Sequence, residues 1–312
     1  MSGFLGQVEL SVPLFALVAL GYALARWRGW PVEVSAALTR FTFAVAIPAL
    51  LFRLMADRSA VSSFDARLLL AFFGGCLIVF VLGRLLGWAV FRLDGAEQSL
   101  FALGGIFSNN VMLGLPLAAA ALGPAALPAV ALVLVFNSLI LWTLVSVSVE
   151  WSRHGSLTLR GFALTTRAVL ANPIISAIVV GSLLGLTGLR LPRVVDAPLE
   201  MLGMAATPLA LVALGMALVE YGVRDRWRVS AAITLVKLVV QPAVVLGLAV
   251  LLGLDRLETQ VAVLLASLAT GANVYLMSRR FEVLQGPVAG AIVMSTAASA
   301  ITTPLVLTLL GA

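Results

Sequence analysis

From Gln98 to Val149 the chain carries no charged side chain. Such a stretch cannot lie on a water-facing surface, and it is too long for one membrane helix, which needs about 20 apolar residues. Gly123-Pro124, with Pro128 close behind, sets a turn inside it. The stretch therefore divides into two spanning helices. The same pattern recurs singly at Leu10 to Ala25, Val34 to Leu54, Leu68 to Gly83, Ala168 to Leu189, Met201 to Val219, Trp227 to Leu254, Thr259 to Ser278 and Val283 to Ala312. Arg40 and Arg53 at the ends of the second run can snorkel to opposite interfaces, and Lys237 interrupts the run from Trp227.

Composition agrees with a bilayer as solvent. Hydrophobic residues make up 62% of the chain and charged ones 11%, against about 25% charged in an ordinary globular domain. Mean hydropathy is +1.11. The chain reads as an all-α integral membrane protein of ten transmembrane helices, with no room for a soluble domain. Met1 to Leu10 has neither a basic n-region nor a small-residue cleavage site, so the first run reads as a retained span. Cys76 is the sole cysteine, which leaves no disulfide framework or metal cluster to build; no cofactor and no metal are expected. The net charge of +6 is scattered arginine. It points to membrane topology and not to nucleic acid.

Arginine gathers on the cytoplasmic side of membrane proteins. Connections after odd-numbered spans hold Arg26, Arg28, Arg92, Arg153, Arg160, Arg167, Arg224, Arg226, Arg228, Arg279 and Arg280; the opposite side holds Arg53, Arg58, Arg67, Arg190, Arg193 and Arg256. Both termini are then expected away from the cytoplasm, with residues 153–167 as a cytoplasmic loop.

Shifting the chain by 160 lays Pro13 on Pro173, Gly21 on Gly181 and Pro48 on Pro208; a further slip of three lays Asn110 on Asn273 and Gly123-Pro124 on Gly286-Pro287. Two five-helix units, 1–152 and 168–312, follow. Five is odd, so the second unit enters from the opposite side as an inverted repeat, the arrangement by which secondary transporters place substrate near the midplane between discontinuous helices.

The fourth span contains "FSNNVMLGLPL" and the ninth "ATGANVYLMS". Amides deep in an apolar helix commonly serve helix packing, at about 0.6–2 kcal/mol each. Paired by the repeat and set beside small residues, Asn110 and Asn273 read instead as substrate-binding, with Ser108 and Asn109 sharing that reading by adjacency. Asn137 in the fifth span is balanced between cavity lining and packing. Gly114 and Pro116 are the expected helix-breaking positions, because glycine loosens the backbone and proline removes a donor. Lys237, the only lysine, either attracts an anion or holds helix-end carbonyls or a carboxylate together. His154 reads as a solvated loop residue. Trp27, Trp30, Trp88, Trp142, Trp151 and Trp227 read as interfacial belt residues.

Together with "ANPIISAIVVGSLLGL" and "ATPLALVALGMAL", these segments resemble the auxin efflux carrier family, whose bacterial members include malate or malonate permease-like proteins. The resemblance covers nearly the whole chain. It implies crossing broken helices 4 and 9, a scaffold of helices 1, 2, 6 and 7, and a moving transport domain of helices 3–5 and 8–10. It also implies a homodimer through the scaffold, and a substrate carboxylate held near Asn109 and around the second crossing by Thr270, Gly271 and Asn273. Lys237, five residues before Pro242, is similar to the family's eighth span. The chain departs at the crossings, where Ser108 and Ala269 stand at the positions of the family's prolines.

The reading is a secondary or facilitative transporter of a small organic anion, a carboxylate, working by an elevator motion in the bacterial cytoplasmic (inner) membrane. A sodium- or proton-coupled symporter or antiporter of a related crossed-helix fold is the alternative within transport, though no acidic residue sits mid-span. A membrane sensor or an intramembrane enzyme is the alternative of another class. A sensor lacks an output domain, and an enzyme lacks a buried base beside serine or cysteine.

Overall fold

The computed structural model describes residues 2–56, 65–154, 173–189, 191–220 and 226–311. Nearly all of the connection expected at 153–167 lies outside them, as do Arg58, Arg190 and Arg224. The described residues are overwhelmingly helical and contain no strand beyond one isolated bridge.

In chain order the helices are α1 (Ser2–Trp27), α2 (Val32–Phe41), α3 (Ile47–Met55), α4 (Ala66–Phe91), α5 (Gly95–Ile106), α6 (Leu115–Ala121) and α7 (Leu127–His154). There follow α8 (Pro173–Thr187), α9 (Arg193–Leu218), α10 (Trp227–Leu235), α11 (Gln241–Leu251), α12 (Arg256–Ser267), α13 (Ala272–Phe281) and α14 (Gln285–Leu309). Seven stretches among the described residues are long and apolar enough to cross a membrane: Leu5–Trp27, Val32–Met55, Ala66–Phe91, Pro124–Ser152, Arg193–Leu218, Trp227–Leu251 and Gln285–Leu309. Asn110–Ala121 and Pro173–Thr187 are shorter apolar helices. The chain is thus an all-helical, multi-span membrane protein.

Three π-helical turns, Thr42–Ala46, Asn110–Gly114 and Val236–Val240, each run straight into a helix whose second residue is proline: Pro48, Pro116 and Pro242. Proline has no N–H for the carbonyl one turn back and its ring crowds that carbonyl. One wider turn relieves the clash without ending the helix. Gly114 and Pro116 therefore reshape a helix and do not break it. The break lies earlier, where Phe107 and Leu268 have extended backbones.

Hydroxyl-free starts are capped by carboxylates where the chain meets water. Asp65 accepts from the Arg67 N–H, Asp94 and Glu97 form a reciprocal capping box on α5, and Asp255 accepts from the Glu258 N–H.

Two groups of helices pack closely within themselves. In one, α9 lies against α1, α2 and α3, and α8 against α3; in the other, α4 packs on α5 and α11, α10 on α14, α11 on α12, and α5 on α7. Between the groups α1 touches α14 and α6, and α8 touches α7. Small residues permit the closest approaches. A Cβ on Gly21 would collide with the Val212 carbonyl oxygen, and one on Gly181 would meet the Phe52 carbonyl oxygen at 2.5 Å. Five of the six tryptophans, Trp27, Trp30, Trp88, Trp151 and Trp227, face outward as a belt would.

Candidate functional site

The ends of α5 and α12 meet the starts of Asn110–Gly114 and α13 at one point. Ser108 and Thr270 form an antiparallel bridge, with the Asn109 N–H donating to the Ala269 carbonyl at 2.9 Å and the Gly271 N–H donating to the Phe107 carbonyl at 2.8 Å. The partner of Ser108 is thus Thr270, one residue beyond Ala269. Backbone outside a helix is tolerable at such depth only if its polar groups are satisfied within the protein, and these bonds do so. Gly271 leaves the approach close: a Cβ there would sit 3.0 Å from the Ser108 carbonyl oxygen and 3.1 Å from the Phe107 ring, tight enough that these neighbours would have to shift by a few tenths of an ångström.

The four helix ends at this crossing are treated differently. A helix leaves its last carbonyls without partners and carries about half a negative charge there. Lys237, fully buried in the π-turn between α10 and α11, donates to the Ala266 carbonyl at the end of α12 and to Gln241 Oε1 at 2.7 Å. Gln241 Nε2 in turn donates to the Ile106 carbonyl at the end of α5 at 2.9 Å. The Thr270 hydroxyl donates to the Gly104 carbonyl at 3.0 Å, and the Ser267 hydroxyl to the Leu264 carbonyl at 2.8 Å. Of the two roles open to Lys237, the geometry matches the holding of helix-end carbonyls.

The two N-termini are left open. Neither Asn109, preceding Asn110–Ala121, nor Gly271, preceding α13, supplies a side-chain cap, so the first N–H groups of both have no partner along their own helix. They border a cavity of about 230 Å³. Its polar side is formed by Phe107 to Met112, Gly271 to Asn273 and Asn137; Phe43 of the first π-turn and Ile174 and Ile175 of α8 close the other. Leu134 and Trp142 of α7 complete it, and among the described residues none that lines it is charged. Ser108, Asn109, Asn110 and Asn137 are all buried. Asn110 Nδ2 approaches Asn137 Oδ1 at 3.4 Å, while Asn110 Oδ1, Asn109 Nδ2 and Ser108 Oγ have no partner among the described residues. Orphaned polar atoms of this kind cost about 1–3 kcal/mol each, which a bound ligand would offset.

The structure thus brings Ser108, Asn109, Asn110, Asn137, Gly271 and Asn273 to one cavity. Thr270 stands apart, its hydroxyl turned toward α5 and its N–H taken by Ser295 Oγ at 3.0 Å. Trp142 lines the cavity instead of joining the belt, well before the end of α7 at His154; its position mid-run was the available signal. Gln241, which no sequence feature distinguished from a polar helix residue, is the second clamp. Among the described residues no cluster of His, Cys, Asp and Glu could hold a metal ion.

Interrupted apolar helices with uncapped N-termini beside a cavity are an arrangement that many membrane carriers use. The chain belongs to the auxin efflux carrier family, whose family model, described as membrane transport protein, matches residues 7–307. It is 30% identical over 299 residues to a protein of Rhizobium meliloti (strain 1021) named "Putative malonate transporter", an alignment covering 94% of this chain and 92% of that one. It is therefore a transporter and not an enzyme.

Proposed function

We propose that the protein is a secondary or facilitative transporter of a small organic anion, a carboxylate, working by elevator-type alternating access. The observation that carries this reading is the pair of uncapped helix N-termini, with Asn109, Asn110 and Asn273, at one cavity with no charged residue among the described ones that line it. Helix N-termini attract anions, and neutral amides hold a carboxylate without the tight pairing of a fixed guanidinium. The malonate in the relative's name accords with it.

Two inverted five-helix repeats, 1–152 and 168–312, belong to the same reading. Their support is a pair of contacts related by one offset: Gly21 faces Val212 and Gly181 faces Phe52, each residue of one pair standing 160 positions from its counterpart in the other. Packing supports a scaffold of spans 1, 2, 6 and 7 and a transport domain of spans 3–5 and 8–10, because the cavity lies between those groups, with Phe43, Ile174 and Ile175 on the scaffold side. Termini on the non-cytoplasmic side of an inner membrane and a homodimer through the scaffold complete the proposal.

The test is uptake into proteoliposomes. Asn110→Ala and Asn273→Ala should each abolish carboxylate uptake while keeping the parent's melting temperature within a few degrees. Undiminished uptake by both would remove the assignment.

A further inference from the structure

The crossing receives a side chain from α14, and what that side chain holds is a single peptide unit. On the α5 side the helical ladder runs up to the bridge, with the Phe107 N–H donating to the Leu103 carbonyl at 2.9 Å. On the other side the backbone is already extended at Leu268. There the Thr270 N–H finds its acceptor in another helix, Ser295 Oγ at 3.0 Å. Ser295 is fully buried, and its own hydroxyl donates to the Ile292 carbonyl at 3.3 Å.

The Ala269–Thr270 peptide is planar and trans, so its N–H and its C=O point in opposite directions and can only turn together. Ser295 takes the N–H; the C=O accepts the Asn109 N–H at 2.9 Å. Donors and acceptors therefore run in one direction from Asn109 through the peptide to Ser295 and on to Ile292, an arrangement in which each bond polarises the next. Asn109 is also held from its other side, because its carbonyl accepts from the Leu113 and Gly114 N–H groups at 3.2 and 3.0 Å. A backbone pinned at both groups fixes the direction in which the Cα–Cβ bond of Asn109 leaves for the cavity. Asn109 Nδ2 there has no partner among the described residues.

We propose that Ser295 is a positioning residue for Asn109, acting through the Ala269–Thr270 peptide from behind the cavity wall. The inference rests on the reading of that cavity as the substrate site. Neighbouring hydroxyls of α14 have no such reach: Thr296 and Ser299 donate to the Ile292 and Thr296 carbonyls of their own helix, at 2.7 and 2.8 Å. The Thr270 hydroxyl, bonded to the Gly104 carbonyl, can be removed without releasing the peptide that Ser295 holds.

Two measurements on the purified full-length protein test this. The first follows uptake of labelled malonate, malate and propionate into proteoliposomes. Ser295→Ala, which removes one oxygen, should raise KM by about three- to tenfold, the size of one lost hydrogen bond. Its kcat should stay within about twofold of the parent, and Ser299→Ala should leave KM unaltered. In an Asn109→Ala background the change at Ser295 should add less than about twofold, because residues that act through one another are not additive. The second measurement needs no substrate: hydrogen–deuterium exchange at the Asn109 N–H should be at least about tenfold faster in Ser295→Ala and parent-like in Ser299→Ala. An unaltered KM in Ser295→Ala, or the full rise repeated in the Asn109→Ala background, would overturn the inference and leave the carboxylate reading standing. If the parent takes up none of the three anions, the carboxylate reading falls and exchange decides alone: parent-like exchange at Asn109 in Ser295→Ala overturns the positioning role, and faster exchange upholds it.

Discussion

Replacing Lys237 by methionine should destabilise the protein although the substitution makes its interior more apolar. The ammonium serves two acceptors, the Ala266 carbonyl and Gln241 Oε1, in surroundings where the side chain has no solvent exposure. Methionine fills similar space and donates nothing. Two buried acceptors then lose their partner at about 1–3 kcal/mol each, and the negative end of α12 loses its cation, worth up to about 2 kcal/mol when partly buried. Against this, the folded state no longer has to desolvate an ammonium, a penalty of several kcal/mol per ion. With the losses at mid-range, about 5 kcal/mol, and a desolvation gain of about 3, the net loss is about 2 kcal/mol. At about 2 °C per kcal/mol for a chain of this size, the apparent melting temperature should fall by about 4 °C. A double-mutant cycle with Gln241→Leu sharpens the assay, because residues of one hydrogen-bond network couple by about 0.5–3 kcal/mol. An unchanged melting temperature in Lys237→Met, or strict additivity with Gln241→Leu, would refute the clamp.

Gly21→Ala and Gly181→Ala place a Cβ against the carbonyls of Val212 and Phe52 and should each lower stability by about 1–3 kcal/mol through overpacking; Gly247→Ala, with nothing within 4 Å, should change it by no more than about 1 kcal/mol, as thermal melts would show. Thr270→Val removes the hydroxyl bonded to the Gly104 carbonyl; it should lower stability by about 1 kcal/mol yet leave the KM for uptake unaltered, whereas Asn109→Ala should raise KM. The Asp65 carboxyl is held below its ordinary value, first by the Arg67 side chain and then by the Arg67 N–H. Its contribution is fully present above the ordinary carboxylate range and is lost as pH falls through the lowered value. The difference in melting temperature between the parent and Asp65→Ala should therefore persist down to about pH 4 and disappear only below it.

Much of the site was legible in the sequence because amides in hydrocarbon are conspicuous. Asn109, Asn110, Asn137 and Asn273 stood out against apolar neighbours, and they do line one cavity. Trp142 was hidden because tryptophan is ordinary near a membrane interface, and only its place on the cavity wall distinguishes it from the exposed Trp151. Thr270 was misplaced by a rotation of one residue: at an extended bridge successive side chains point to opposite sides, so Thr270 faces α5 while Gly271 and Asn273 border the cavity. Gly114 and Pro116 were the visible breakers, yet a π-turn absorbs them.

The sequence by itself determined the solvent, the all-helical class and the positions at which polar groups interrupt the spans. These follow from transfer free energies and from proline's missing N–H, which are properties of single residues and short segments. Only the tertiary structure decided which helix ends are closed and which are open. Lys237 and Gln241 reach the ends of α12 and α5 across 29 and 135 residues of chain, and no local pattern encodes that meeting. The difference between a clamped carbonyl end and an uncapped N–H end, on which the proposed anion site rests, exists only once the two segments have met.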